Sequence, residues 1–185
     1  MKKHLKYAFI LLSICAVCAF ALGWTNSITA PVIADQERQN KTMALEAVSN
    51  EWTIGEQQDV QDSPYVMYSI PLTQDGQGRG YIVGLKGAGY GGALTLVASY
   101  TTEGEMLFAK MLTNSETPGL GKKSENEGYM DMFKATGATK PVPTSKDMLS
   151  SSDAAAVSGS SVTFMAIAKA IKGGSAYVKS LGGNT

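Results

Sequence analysis

Ser158-Gly159-Ser160-Ser161-Val162-Thr163-Phe164 is the stretch on which the reading of the fold turns. It follows a short apolar run, Ala154 to Val157, and opens a pattern that places Phe164, Ile167, Ala168 and Ile171 on one face. Apolar residues at that spacing mark an amphipathic helix. The expected order is an extended segment, a glycine turn, then the helix. Ser160 and Ser161 stand where the first N–H groups of a helix have no intrahelical acceptor. Unpaired donors and the positive end of the helix dipole point the same way there, which suits an anion. The same letters also make an ordinary N-cap, and the stretch alone does not separate the two readings.

Upstream lie four strand-like runs, Tyr65 to Ile70, Gly80 to Lys86, Leu94 to Tyr100 and Met106 to Thr113. Asp75-Gly76-Gln77-Gly78 and Thr101-Thr102-Glu103-Gly104 have the turn chemistry of antiparallel hairpins. Gly87-Ala88-Gly89-Tyr90-Gly91-Gly92 separates the second and third runs. It lacks the Lys-Ser/Thr of a phosphate loop and the dinucleotide spacing, so it supports no nucleotide site. Asn114 to Gly121 reads as an irregular loop with a defined path, because Pro118 and its neighbouring glycines restrict it. Ser124 and Glu127 have capping-box spacing, which predicts a short helix over residues 125–133. Residues 135–150 read as a loop, and the glycine-rich residues 174–185 as a flexible tail.

Toward the N-terminus, residues 7–24 carry no charged side chain and follow a basic flank over residues 1–6. Eighteen residues at ~1.5 Å each give ~27 Å, close to the thickness of a hydrocarbon core. The expectation is an uncleaved transmembrane anchor with the basic flank inside and the remainder outside. A cleaved signal peptide ending at Ala19-Phe20-Ala21 is the competing reading. Asn26 to Pro31 reads as a bend, and residues 25–60 as a juxtamembrane helix and linker. The main domain is then residues 61–173.

Sixteen basic residues balance sixteen acidic ones, which excludes a strongly basic nucleic-acid surface. Cys15 and Cys18 are the only cysteines, and they lie in the apolar segment. They read as small apolar residues of a spanning helix, since no second pair completes a four-thiolate site. Outside that segment there is no thiol for a disulfide. The single histidine, His4, precedes the span, so a Ser–His–Asp hydrolase is excluded. Any redox chemistry must come from a bound cofactor.

Glu116-Thr117-Pro118-Gly119-Leu120-Gly121, taken with Ser158 to Thr163, resembles the exported FMN-binding domain in the G subunit of Rnf-type ion-translocating electron-transport complexes. The C subunit of sodium-pumping NADH:quinone reductase carries the same domain type. The resemblance extends over about residues 5–173 and includes the order of features: one span, a Gly-Tyr-Gly-Gly stretch, a hairpin, then the Ser-Gly motif and a helix. It implies an α/β fold of the α+β type, with a mainly antiparallel sheet and packed helices behind the transmembrane helix. It also implies an electron-carrying membrane flavoprotein with other complex subunits as partners. In that family the second motif reads Ser/Thr-Gly-Ala-Thr-x-Thr, and a flavin transferase using FAD joins FMN to the Thr after Ala by a phosphoester.

Here Ser161 stands at that Thr, Ser160 replaces the Ala, and Ala155 occupies a position that is usually Asp. The resemblance therefore assigns covalent FMN to Ser161, with Ser158, Gly159, Ser160, Thr163, Glu116, Thr117, Gly119 and Leu120 as cofactor-binding residues. Thr139, in the literal Thr136-Gly137-Ala138-Thr139, is the alternative attachment point. It is disfavoured because Pro141 and Pro143 follow it and no apolar helical pattern does. No catalytic residue or metal ligand is expected. A non-redox assembly or binding subunit that has lost the flavin is the alternative function.

Overall fold

The computed structural model describes residues 2–182. The chain divides into two compact units, Met1–Lys41 and Thr42–Thr185. The first is supplied by helix α1 (Lys2–Val48), whose last residues belong to the second. Phe9, Leu12, Phe20 and Leu22 are all exposed on α1, as are the free thiols of Cys15 and Cys18. Among the described residues, this is the one helix long and apolar enough to cross a membrane.

The expected bend over Asn26 to Pro31 is absent: α1 runs through Pro31. Proline removes one backbone donor and crowds the carbonyl four residues back. Hydroxyls are concentrated just before it. Thr25 donates to the Ala21 carbonyl at 2.8 Å, Ser27 to Trp24 at 2.7 Å and Thr29 to Thr25 at 3.0 Å. None of the three acceptors is the Ser27 carbonyl, the one that Pro31 leaves without its helix donor, so the helix continues past Pro31 with that bond missing.

The second unit is built on one antiparallel sheet of six strands. They are β1 (Thr53–Ile54), β2 (Gln58–Asp59), β3 (Val66–Gln74), β4 (Gln77–Ala88), β5 (Ala93–Thr101) and β6 (Met106–Asn114). The order is β1-β3-β4-β5-β6, with β2 also paired to β3. All four predicted runs are strands that extend beyond the expected C-terminal residue, and the first begins at Val66 rather than Tyr65. Asp75 and Gly76 close the β3–β4 hairpin with φ of 53° and 76°. Two positive φ values in a two-residue loop match the right-handed twist of the flanking strands.

Strand alternation sends side chains to two cores. Val83 and Leu85 of β4, with Leu94, Leu96, Ala98 and Tyr100 of β5, pack against helix α3 (Ser161–Gly182) through Phe164, Ile167 and Ile171. On the other face, Ile82, Val97, Ile70 and Leu72 pack against Ala44 and Val48 from the end of α1. Residues 42–48 thus form part of the folded unit, which reaches further upstream than the expected 61–173.

Three more expectations are corrected. Ala154 to Val157 is not extended: helix α2 (Ser151–Ala156) precedes the glycine turn, capped by Ser150, whose hydroxyl accepts from Asp153 N–H at 3.2 Å. The helix expected over residues 125–133 is instead two short 3-10 helices, Gly121–Glu125 and Tyr129–Phe133. Gly128, at φ 80°, breaks the run, and the Ser124 hydroxyl donates back to the Gly121 carbonyl rather than capping a new helix.

The glycine-rich tail is also helical as far as Gly182; residues 183–185 lie outside the described residues. Gly173 and Gly174 are close-approach positions inside α3. A Cβ on Gly173 would come within 2.7 Å of the Tyr65 ring, and one on Gly174 within 2.6 Å of the Tyr100 hydroxyl. That hydroxyl donates to the Ile171 carbonyl at 3.0 Å. Further along, Val178 is fully buried and Ser175 donates to the Gly104 carbonyl at 2.7 Å.

Candidate functional site

Three segments far apart in the chain meet at the first turn of α3 and enclose a cavity of about 440 Å³. Tyr90 comes from the β4–β5 connection. Glu116, Thr117, Leu120 and Gly121 come from the loop after β6, and Gly159 to Thr163 from the turn and helix start. The volume lies within the usual range for small-molecule pockets.

Each segment is held by its own backbone chemistry. The β4–β5 connection is tightened by Gly89 N–H donating to the Gly92 carbonyl at 2.8 Å. The loop after β6 is fixed at its start by Glu116 N–H donating to Asn114 Oδ1 at 3.1 Å. It then turns so that Leu120 N–H and Lys122 N–H both donate to the Thr117 carbonyl, at 3.2 and 3.3 Å. At the third segment, Gly159 (φ 81°) sets the turn, and the first α3 bond runs from Phe164 N–H to the Ser160 carbonyl at 2.9 Å. The N–H groups of Ser161, Val162 and Thr163 head the helix without intrahelical acceptors.

Glu116 joins the three. The residue is 4% exposed. Oε1 accepts from Gly91 N–H at 3.1 Å, and Oε2 accepts from the Thr163 hydroxyl at 2.8 Å. The packing leaves no space for side chains: a Cβ on Gly89 or on Gly121 would overlap the carboxylate oxygens.

The hydroxyls at the helix start differ in what they do. Thr163 is committed to Glu116, and Ser160, also buried, donates to the Val157 carbonyl at 3.3 Å. Ser161 is half-buried at the cavity wall, and its side chain makes no hydrogen bond to any described residue. Beneath Ser160 lies Tyr129, whose phenol is 7% exposed and forms no hydrogen bond of good geometry with the described residues. Burial pushes its pKa up to about 12, and the neighbouring Ser160 hydroxyl partly offsets that. The rim is apolar: Tyr90, Leu120 and Val162 line the cavity with their side chains exposed.

Of the residues named from sequence, Glu116, Thr117, Leu120, Gly159, Ser160, Ser161 and Thr163 line this cavity. Ser158 and Gly119 do not; they shape the two turns beside it, Gly119 with φ of 77°. Thr139 lies elsewhere, exposed in a loop where Lys179 Nζ donates to the carbonyls of Gly137 and Ala138. Tyr90, Gly91, Gly121 and Val162 also belong to the site; Gly121 and Val162 lie inside the two sequence motifs but were not named as cofactor-binding, and Tyr90 and Gly91 lie outside them. The Gly-Tyr-Gly-Gly run is the available signal for the first two, since an aromatic among glycines marks a tight loop with an exposed tip.

Comparison with known proteins defines the class. Residues 89–174 match the family model described as the FMN-binding domain, and residues 1–48 match that of the RnfG N-terminal region. The chain therefore carries an FMN-binding domain behind an RnfG-type N-terminal region. Its similar proteins are G subunits of translocating complexes. It is 29% identical to the G subunit of the proton-translocating ferredoxin:NAD(+) oxidoreductase complex of Clostridium ljungdahlii, over 50% of this chain and 49% of that one. It is 29% identical to the G subunit of the ion-translocating oxidoreductase complex of Stutzerimonas stutzeri, over 60% of this chain and 52% of the other. With the G subunit of the Na(+)-translocating ferredoxin:NAD(+) oxidoreductase complex of Acetobacterium woodii it shares 25% identity over 90% of this chain and 87% of that one. The chain spans about half the length of the first two relatives.

The cavity fits FMN in chemical character. FMN has an anionic phosphate at one end and a broad, largely apolar ring at the other. The α3 N-terminus supplies unpaired donors, while Tyr90, Leu120 and Val162 supply an apolar rim.

Proposed function

We propose that this chain is the electron-carrying G subunit of an Rnf-like ion-translocating oxidoreductase, with FMN in the cavity and its phosphate esterified to Ser161. The observation that carries this reading is the meeting of the Glu116–Gly121 loop with the start of α3, where Ser161 alone among Ser160, Ser161 and Thr163 has an uncommitted hydroxyl. Bound FMN supplies the electron chemistry. The chain's own groups hold it. The helix-start N–H groups stabilise the phosphate charge, by about 0.3–1 kcal/mol at an exposed end and more where partly buried. Leu120, Val162 and Tyr90 offer apolar contact to the ring.

Attachment requires a flavin transferase acting on FAD. The Ser161 oxygen forms a bond to the FMN phosphorus, the pyrophosphate P–O bond breaks, AMP leaves, and the hydroxyl proton passes to a base of the transferase. The remaining subunits of the complex are the partners. The apolar span of α1 and its basic flank support a single-pass protein of the cytoplasmic membrane with the folded unit on the outer side.

Co-expression with a transferase in an exporting host, followed by denaturing electrophoresis with fluorescence detection and peptide mass analysis, tests the assignment. A fluorescent band is expected, lost in Ser161→Ala and kept in Thr139→Ala. The reverse pattern moves the ester to Thr139. A purified complex in which this chain is colourless would favour the non-redox assembly role.

A further inference from the structure

Glu116 brings a buried carboxyl group into the cavity wall with no cation paired to it. Both carboxylate oxygens face donors of the protein itself, Gly91 N–H and the Thr163 hydroxyl, and neither donor is a cation. Among the described residues no Lys or Arg forms an ion pair with it. At 4% exposure, water does little to screen it. Its two bonds also leave it no freedom to turn away. The glycines at 89 and 121 pack so closely that the carboxylate keeps one position.

Reduction of a flavin increases its electron density and favours its anionic reduced form. A fixed negative charge lining the same small cavity opposes that change, and it does so more strongly in a low-dielectric wall than in water. We propose that Glu116 is a positioning residue that joins the three walls of the cavity and, through its buried charge, holds the reduction potential of the bound flavin low. This rests on the FMN reading above. The Thr163 hydroxyl acts in the opposite sense: as a donor to Oε2 it withdraws part of the charge. Thr163 is thereby assigned to the carboxylate and not to the phosphate.

The test uses the full chain, loaded with flavin and purified in detergent, with midpoint potentials measured by spectroelectrochemistry. Glu116→Gln removes the charge and keeps the shape. Its carbonyl can accept from Gly91 N–H while its amide donates to Thr163 Oγ1. Its potential is expected to rise by about 30 mV or more, the equivalent of a tenfold change in the oxidised-to-reduced binding ratio for a two-electron couple. Thr163→Val keeps the charge and removes its donor, and its potential is expected to fall.

Opposite signs in the two variants identify a charge effect, because a loosened pocket shifts both in the same direction. If Glu116→Gln fails to retain flavin, Thr163→Val decides: a lower potential supports the proposal, and an unchanged or higher one overturns it. An unshifted potential in flavin-loaded Glu116→Gln overturns the role of the Glu116 charge and leaves FMN binding standing. A wild-type chain that takes up no flavin removes both.

Discussion

Gly159 lies directly under Leu120: a Cβ built on Gly159 would stand 3.1 Å from Leu120 Cδ2. The turn before α3 and the loop after β6 are therefore fitted to each other at van der Waals limits. Gly159 also has φ of 81°, a conformation that costs a residue with a Cβ about 1–2 kcal/mol. Gly159→Ala is expected to lower the unfolding free energy by at least that amount and to displace Leu120 from the cavity rim. Urea denaturation measures the first, and flavin fluorescence the second.

Tyr129 makes stability depend on alkaline pH. Burial raises its pKa from 10.0 to about 12, so the folded protein keeps a proton that the unfolded chain releases. Between those values the unfolded state binds fewer protons, and stability falls as pH rises. The contribution is complete below pH 10 and is lost on passing through about pH 12. A difference of that size corresponds to about 2–3 kcal/mol. Tyr129→Phe should flatten this part of the stability profile, as read from denaturant midpoints at pH 9, 10 and 11.

Val178 tests whether the last turns of α3 belong to the folded unit. It is fully buried, in the stretch that the sequence reads as a flexible tail. Val178→Asp buries an unpaired charge and should cost about 3 kcal/mol or more. A change within about 0.5 kcal/mol would show that the segment contributes little.

The core stack of Phe133 on Phe164, with ring centroids 5.7 Å apart, ties the second 3-10 helix to α3 just below the cavity. Phe164→Ala is expected to destabilise the domain by about 3–5 kcal/mol. Because the loss is in packing, the effect on flavin should follow unfolding. Thermal denaturation monitored together by far-ultraviolet dichroism and flavin fluorescence should give coincident transitions.

Orientation is open to a direct assay. With the basic flank inside, protease added to spheroplasts should digest the folded unit and leave a membrane fragment containing residues 7–24. A protected domain would reverse the orientation, and a mature N-terminus at Leu22 would show that the span is removed.

Local chemistry determined much of this protein. Asp75-Gly76 specifies a hairpin because both positions accept positive φ, and the alternation along residues 80–86 and 94–100 specifies strands with two unlike faces. The Glu116–Gly121 and Ser158–Thr163 motifs were singled out by their resemblance to a known family, and residues of both line the cavity. Other features were decided by contacts between distant residues. Residues 174–185 read as a flexible tail, yet the helix runs on through Gly173 and Gly174 to Gly182, with Tyr65 and Tyr100 filling the space that side chains there would occupy. Residues 154–157 read as extended although they end a helix that Ser150 caps; that signal is local, three residues from Ser150 to Asp153, and the reading did not use it. The bond between Glu116 and Thr163 spans 47 residues and forms only when the sheet brings its ends together. Periodicity and turn preference act over a few neighbours; the partners of a buried polar group are chosen by the fold as a whole.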